Sequence, residues 1–229
     1  MYFKNRVEAG QKLAKTLIDF KGQKPAVIAL SDGAVVIAAQ IAVELQCVVT
    51  MLLSEPIKLP GEPDAVAVIN QEGTFTYNDM YSTGQLEEFQ QEYYQVIEQA
   101  KLEKMSEMNR LLGKGGLIRK DLLKGHSIIL VSDGLSNGLS VESAIDYLKP
   151  LKTEQIIIAT PLASLAAVDR MHVLTDGIKC LSVIENFINT NHYYEDNSMP
   201  DHEAIIGIIQ NLVQHWQPAT DEKQSQIVT

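Results

Sequence analysis

The strongest constraint in this chain is a pattern met at two places. A short apolar run stops at Ser-Asp-Gly and gives way to helical periodicity. Ala26-Val27-Ile28-Ala29-Leu30 ends at Ser31-Asp32-Gly33, and Ser127-Ile128-Ile129-Leu130-Val131 ends at Ser132-Asp133-Gly134. Apolar runs this short, without polar alternation, read as strands buried on both faces, as in a parallel sheet covered by helices. Residues 34–45, apolar on nearly all sides, and residues 141–148 supply two of the helices. Further buried strands are expected at 48–53, at 155–160 closed by Pro161, and at 179–184. Helices are expected at 6–20, with Val7, Leu13, Leu17 and Ile18 inward, at 163–171, and at 201–216 with Asp201 as N-cap. Strands alternating with helices make the fold α/β, with a largely parallel central sheet.

Two stretches leave this alternation. Residues 55–61 read as a loop from their prolines and glycine, and 65–70 with 74–77 as a β-hairpin through Gln71-Glu72-Gly73. From residue 84 the texture turns rich in Glu and Gln, while Leu86, Phe89, Tyr93, Ile97 and Ala100 keep helical spacing, continued by Met105, Met108 and Leu112. This is a helical insertion over about 84–116, with a packing stripe whose methionines also suit contact with a partner or with a second copy in a homodimer. The whole reads as one domain over 1–216 followed by a polar tail at 217–229.

The formal net charge of −10 excludes broad nonspecific contact with nucleic acid or an anionic membrane, because no basic stripe offsets the repulsion. No apolar run approaches membrane-spanning length, and the N-terminal residues have no apolar leader core, so a cytoplasmic location is expected. Cys47 and Cys180 lie in no metal-like spacing and are expected to be small buried hydrophobes. His126, His172, His192, His202 and His215 show no paired-ligand spacing and are expected in surface or packing roles.

Ligands of open α/β sheets sit at the carboxyl ends of strands, which directs attention to the two Ser-Asp-Gly turns. The second runs through Leu135-Ser136-Asn137-Gly138-Leu139-Ser140 into a helix. Gly138 would let backbone approach an anion, and Ser136, Asn137 and Ser140 could donate to phosphate oxygens. The alternative is an ordinary turn with Ser140 as an N-cap. Asp32 is either a Mg²⁺ contact or a solvated turn acid, and Tyr193-Tyr194-Glu195-Asp196 either lines the site or forms a polar turn.

Residues 127–140 resemble the 5-phosphoribosyl-1-diphosphate motif of the type I phosphoribosyltransferases: an apolar strand, two adjacent acids and a loop ending Thr-Gly-x-Thr. The opening Phe3-Lys4-Asn5-Arg6-Val7-Glu8-Ala9-Gly10, the loop Leu59-Pro60-Gly61-Glu62-Pro63-Asp64, and Tyr194-Glu195-Asp196 with Asp201-His202-Glu203 resemble phrases of one bacterial branch of that family. The resemblance covers about residues 3–212. It implies a Rossmann-like central parallel sheet flanked by helices, with a hood over the active site. It also implies a reaction in which Mg²⁺-bound diphosphate leaves C1 of the ribose as a nitrogen nucleophile attacks. On this carry-over the small-molecule phosphate ligand is held by Ser132, Asp133, Gly134, Leu135, Ser136, Asn137, Gly138, Leu139 and Ser140, with Asp32 and Gly33 beside them. Asp133 serves the ribose hydroxyls, and Asp32 and Asp133 are the candidate Mg²⁺ contacts.

The chain departs from the family pattern where the reactive groups bind. The acid pair is reduced to Ser132 and Asp133, and the threonine before the loop glycine is Asn137. The first-strand phrase Pro-Arg-Gly-Gly is Ser31-Asp32-Gly33-Ala34, and an Arg-Lys pair is Glu55-Pro56, with Lys58 close by. Exchanging a guanidinium for a carboxylate beside a polyanion reverses an interaction of about 4 kcal/mol at ~4 Å and an effective dielectric near 20. Three readings follow. The first is a phosphoribosyltransferase-fold protein with impaired or absent transferase activity that binds a sugar phosphate or nucleotide monophosphate at 132–140. The second is a working Mg²⁺-dependent transferase with metal and Lys58 replacing the lost cations. The third is an assembly protein using helix 85–112.

Overall fold

The computed structural model describes residues 2–112 and 123–213. The ends expected for the insertion at Gly113 or Gly115-Gly116 and for the last helix at Trp216, His215, and the tail at 217–229, lie outside the described residues.

The central sheet has five parallel strands: β1 (Ala26–Ala29), β2 (Val48–Met51), β6 (Ser127–Val131), β7 (Gln155–Ser164) and β8 (Gly177–Ile184). Their order across the sheet is β2-β1-β6-β7-β8. All residues of β1, β2 and β6 are buried, as runs without polar alternation require. Helix α2 (Asp32–Leu45) connects β1 to β2 and buries Val35, Ile37, Ala38, Ile41 and Leu45. Each large side chain of that set removes enough apolar surface from water to contribute roughly 1.5–3 kcal/mol. Ser31 caps α2, its hydroxyl accepting from Ala34 N at 3.1 Å. Helices α5 (Leu139–Leu148) and α6 (Leu165–Leu174) follow β6 and β7, and α7 (His202–Val213) packs on α2 and β2. Asp201 caps α7 as expected, accepting from Ala204 N at 2.8 Å.

A second, antiparallel sheet holds β3 (Ser54–Ile57), β4 (Ala67–Asn70) and β5 (Phe75–Tyr77) in that order. Strands β4 and β5 are the expected hairpin, but β3 corrects the loop reading of residues 55–61. Pro56 lies opposite Val68 on an edge strand, where a residue without an N–H is tolerated. The insertion is two helices, α3 (Thr83–Glu92) and α4 (Tyr94–Leu112), divided at Tyr93, whose ψ of 20° departs from helical geometry. Ile97 and Met108 of α4 are buried against the antiparallel sheet side of the core.

Several further boundaries differ, three of them with a local cause. The N-terminal helix α1 is Arg6–Lys15, and a 3₁₀ turn covers Ile18–Phe20. Its buried stripe is Arg6, Ala9, Gly10, Leu13, Ala14 and Leu17, while Val7 and Ile18 are exposed. Small residues face inward because α1 packs closely on α2: a Cβ on Gly10 would meet Ile37 Cα at 3.0 Å. Strand β7 runs through Pro161 instead of ending there. The Thr160 hydroxyl bonds the Leu162 backbone, and Leu135 adds a parallel bridge to Ala163. Helix α5 starts two residues early, capped by Gly138 in the left-handed region (φ 81°), so Ser140 lies inside the helix and not at its cap.

Cys47 is buried, and burial pushes its thiol up to about 12; Cys180 is half-buried and raised in the same direction by the same cause. Among the described residues no helix is long and apolar enough to cross a membrane.

Candidate functional site

A cleft of about 710 Å³ opens where β1, β2 and β6 end. Its wall includes Ser31, Asp32 and Gly33 after β1, Ser54 and Glu55 of β3, Asp133 after β6, Asn189 to Asn191 after β8, and His202 at the start of α7. From β1 the chain steps to β2 on one side and later to β6 on the other, so Asp133 and Ser31 meet at the switch point of the sheet.

Asp133 is the centre of a closed polar network. Its Oδ2 accepts from Arg6 Nε at 2.8 Å, and its Oδ1 accepts from the Ser31 hydroxyl at 2.9 Å. Ser31 therefore caps α2 with one lone pair and holds Asp133 with its proton. The carboxylate lies against the first turn of α2, the positive end of that helix. A Cβ on Gly33 would stand 2.1 Å from Asp133 Oδ2, so only glycine permits this approach. Tyr194 donates to the Asp133 carbonyl at 2.7 Å, and burial, reinforced by the Asp133 charge, keeps its phenol protonated far above its ordinary range.

Arg6 is 6% exposed and spends every arm of its guanidinium. Besides Asp133, Nη2 donates to Asn191 Oδ1 at 2.7 Å and Nη1 to Asn197 Oδ1 at 3.2 Å, while the Tyr194 ring lies 4.5 Å from the guanidinium carbon. Three distant segments, at 6, 133 and 191–197, are thereby fixed to one another.

Ser132 is 9% exposed and turned inward, its hydroxyl donating to Gly134 O at 3.1 Å and accepting from Gly134 N at 3.3 Å. Gly134 packs against Thr190, whose hydroxyl oxygen would stand 2.5 Å from a Cβ there. Leu135 and Leu139 are buried in the core, Ser136 is exposed, and the Asn137 side chain accepts from Leu139 N at 3.1 Å. Gly138 lies over the Met171 methyl, 2.7 Å from where a Cβ would be. Beneath the loop, the Arg170 guanidinium donates to Glu142 with two nitrogens and to the Asn137 carbonyl at 3.3 Å, and it pairs with Asp79. Burial raises the Glu142 carboxyl, and Arg170 opposes that shift. Of the candidate residues, Asp32, Gly33 and Asp133 line the cleft, while Ser132 and residues 134–140 do not.

The remaining wall is acidic. Asp32 faces His202, with Nδ1 at 3.4 Å from each carboxylate oxygen, and His202 Nε2 lies 3.3 Å from the Leu111 carbonyl. Glu55 pairs with Lys104 at 3.5 Å, and Lys58 is exposed and does not line the cleft. Asp133 has both oxygens engaged and Asp32 faces an imidazole. Among the described residues no three His, Cys, Asp or Glu side chains gather into a cluster that could hold a metal ion.

Arg6, Asn191 and His202 join the site without having been among its candidates in the sequence. Arg6 carries a usable signal: it occupies the first position of the Ala9, Gly10, Leu13 stripe, and a charge on a buried stripe needs a partner. Asn191 and His202 carry none, because only the tertiary fold brings them to the cleft.

A five-stranded parallel sheet flanked by helices, with a cleft at its switch point, defines an open-sheet α/β protein. Residues 2–196 match the phosphoribosyl transferase domain, and the chain belongs to the type I phosphoribosyltransferase family. The solved structure of TT1426 from Thermus thermophilus shares the fold at a TM-score of 0.69 and 24% identity, over 93% of this chain and 99% of that one. The purine phosphoribosyltransferase of Pyrococcus horikoshii aligns at a TM-score of 0.45 and 15% identity, over 80% of this chain and 86% of that one. The hypoxanthine phosphoribosyltransferase of Staphylococcus aureus aligns at 0.44 and 13%, over 82% and 79%.

Proposed function

We propose that this phosphoribosyltransferase-fold protein has impaired or absent transferase activity and binds a sugar phosphate or nucleotide monophosphate at the 132–140 loop. One observation carries the reading: the acid position that would grip ribose hydroxyls has both carboxylate oxygens engaged inside the protein. Arg6 and Ser31 hold Asp133, and the neighbouring Ser132 hydroxyl is spent on Gly134. A ligand must share that carboxylate with a buried ion pair. Asp32 and Glu55 also present negative charge to any diphosphate entering the cleft. The loop leads into the N-terminus of α5 and keeps an exposed hydroxyl for a single phosphate at Ser136. Free thiols at Cys47 and Cys180 accord with a reducing, cytoplasmic setting.

The rival reading, an active transferase, needs cations to offset that wall. Lys58 is outside the cleft, which leaves Mg²⁺ carried in by the diphosphate itself as the compensation that reading requires. Calorimetry with 5-phosphoribosyl-1-diphosphate plus Mg²⁺, beside ribose 5-phosphate, separates the two. The expected result is binding of ribose 5-phosphate, no gain from the diphosphate, and no diphosphate release with nucleobases. Micromolar binding of the diphosphate that disappears in Asp133→Ala would overturn the impaired reading. Failure of both ligands to bind would overturn the sugar-phosphate assignment.

A further inference from the structure

The two edges of the central sheet are treated differently by the fold. At β2 every residue is buried and α7 packs alongside. At β8 none is: seven of its eight residues are half-buried and Val183 is 49% exposed. Ile188 just beyond the strand is exposed, as are Leu165 and Val173 of α6, which packs on β8. An eight-residue edge with no proline and a single lysine lacks the devices that normally prevent strand addition. Its backbone groups on the outer side form a template for another strand.

We infer that β8 is an interface on which a second copy of this chain adds antiparallel, extending the parallel sheet across a two-fold axis. A two-fold fixes the arithmetic of such pairing. Residues opposite one another share a face, so one residue on the axis opposes its own copy and the others pair symmetrically about it. Centring on Ser182 sets Leu181 opposite Val183 and Cys180 opposite Ile184 of the partner, and brings Lys179 to the end of the partner strand where Glu185 follows, twice over. The neighbouring registers fail. Centring on Leu181 sets Lys179 against Val183, centring on Val183 sets Glu185 against Leu181, and centring on Cys180 sets Lys179 against Leu181. Only the Ser182 register joins opposite charges and apolar side chains together. Among the described residues neither Lys179 nor Glu185 has an ion-pair partner within its own chain, so both charges are available to the copy. Glu185 stands one residue past the strand, in a turn, and is exposed.

Analytical ultracentrifugation of the full chain tests this, with circular dichroism checking that each variant is folded. The expected result is a dimer whose dissociation constant rises about tenfold or more in Lys179→Glu and in Glu185→Lys, and is restored in the double variant that exchanges both charges. In a Cys180→Ser background, Ser182→Cys is expected to form a disulfide between copies on mild oxidation, because the axis residue faces itself. A monomer at all concentrations, a dimer indifferent to either charge change, absence of rescue in the double exchange, or no cross-link from Ser182→Cys would overturn the inference.

Discussion

Arg6→Met is the most informative single change, because it keeps an apolar stem of similar reach and removes only the guanidinium. The Asp133 side chain is 14% exposed and would be left with one neutral donor, the Ser31 hydroxyl. Asn191 and Asn197 would each lose the donor that now satisfies their carbonyl oxygens. Breaking one side of a buried ion pair costs about 3–5 kcal/mol, chiefly because the remaining charge stays desolvated. For a chain of this size each kcal/mol moves the melting temperature by about 2–4 °C, so a fall of roughly 6–20 °C is expected. Urea unfolding followed by far-ultraviolet circular dichroism measures the free energy directly, with an unchanged denaturant slope as the control. Asp133→Asn removes the stranded charge. The double variant should therefore be more stable than the sum of the single losses implies, by roughly 0.5–3 kcal/mol. A loss below about 1 kcal/mol for Arg6→Met, or strict additivity in the cycle, would refute the claim that Asp133 is held by this pair.

Gly33→Ala is expected to cost about 1–3 kcal/mol, since its methyl would fall 2.1 Å from Asp133 Oδ2 and 2.7 Å from Arg6 Nε, both locked in the network. Gly207→Ala on α7 meets nothing within 4 Å and should instead stabilise by about 0.5–1 kcal/mol; chemical denaturation of both variants checks the contrast. The Cys47 thiol, raised by burial from 9.0 to about 12, stays protonated in the folded chain where the unfolded chain has lost its proton. The unfolded state then binds fewer protons, so Cys47 contributes a loss of stability as pH rises from 9.0 towards 12. Unfolding free energies across that range should fall less steeply in Cys47→Ala than in the parent chain.

The central sheet is legible in the sequence because β1, β2 and β6 are apolar without interruption, which suits burial on both faces and little else. Prolines mislead at two strands for opposite reasons. Pro56 marks an edge where its missing N–H costs nothing, and at Pro161 the Thr160 hydroxyl and the Leu135 bridge carry the ladder onward. On α1, hydrophobicity alone points Val7 and Ile18 inward, yet tight packing on α2 selects by size and takes Ala9 and Gly10. At the cleft, Asp32, Gly33 and Asp133 can be placed because each follows a strand closely. The partner of Asp133 cannot. Arg6 is 127 residues away, and no local spacing encodes a contact at that separation.

The network around Arg6 also sets an order of events during synthesis. Phe3 bridges to Tyr194, and Arg6 reaches Asn197 across 191 residues, so the network joins the first segment of the described chain to one near its last. A nascent chain has β1, β2 and β6 available for pairing long before Asn191 and Asn197 leave the ribosome. Contacts between such distant positions form late, because the entropy of closing the intervening chain must be met first. The sheet can therefore begin to assemble first, and Arg6 gains its two asparagine partners only after nearly all of the sheet has been made. A chain cut short before residue 191 would leave Arg6 without either of them, and it would also strip α7 from α2 and β2.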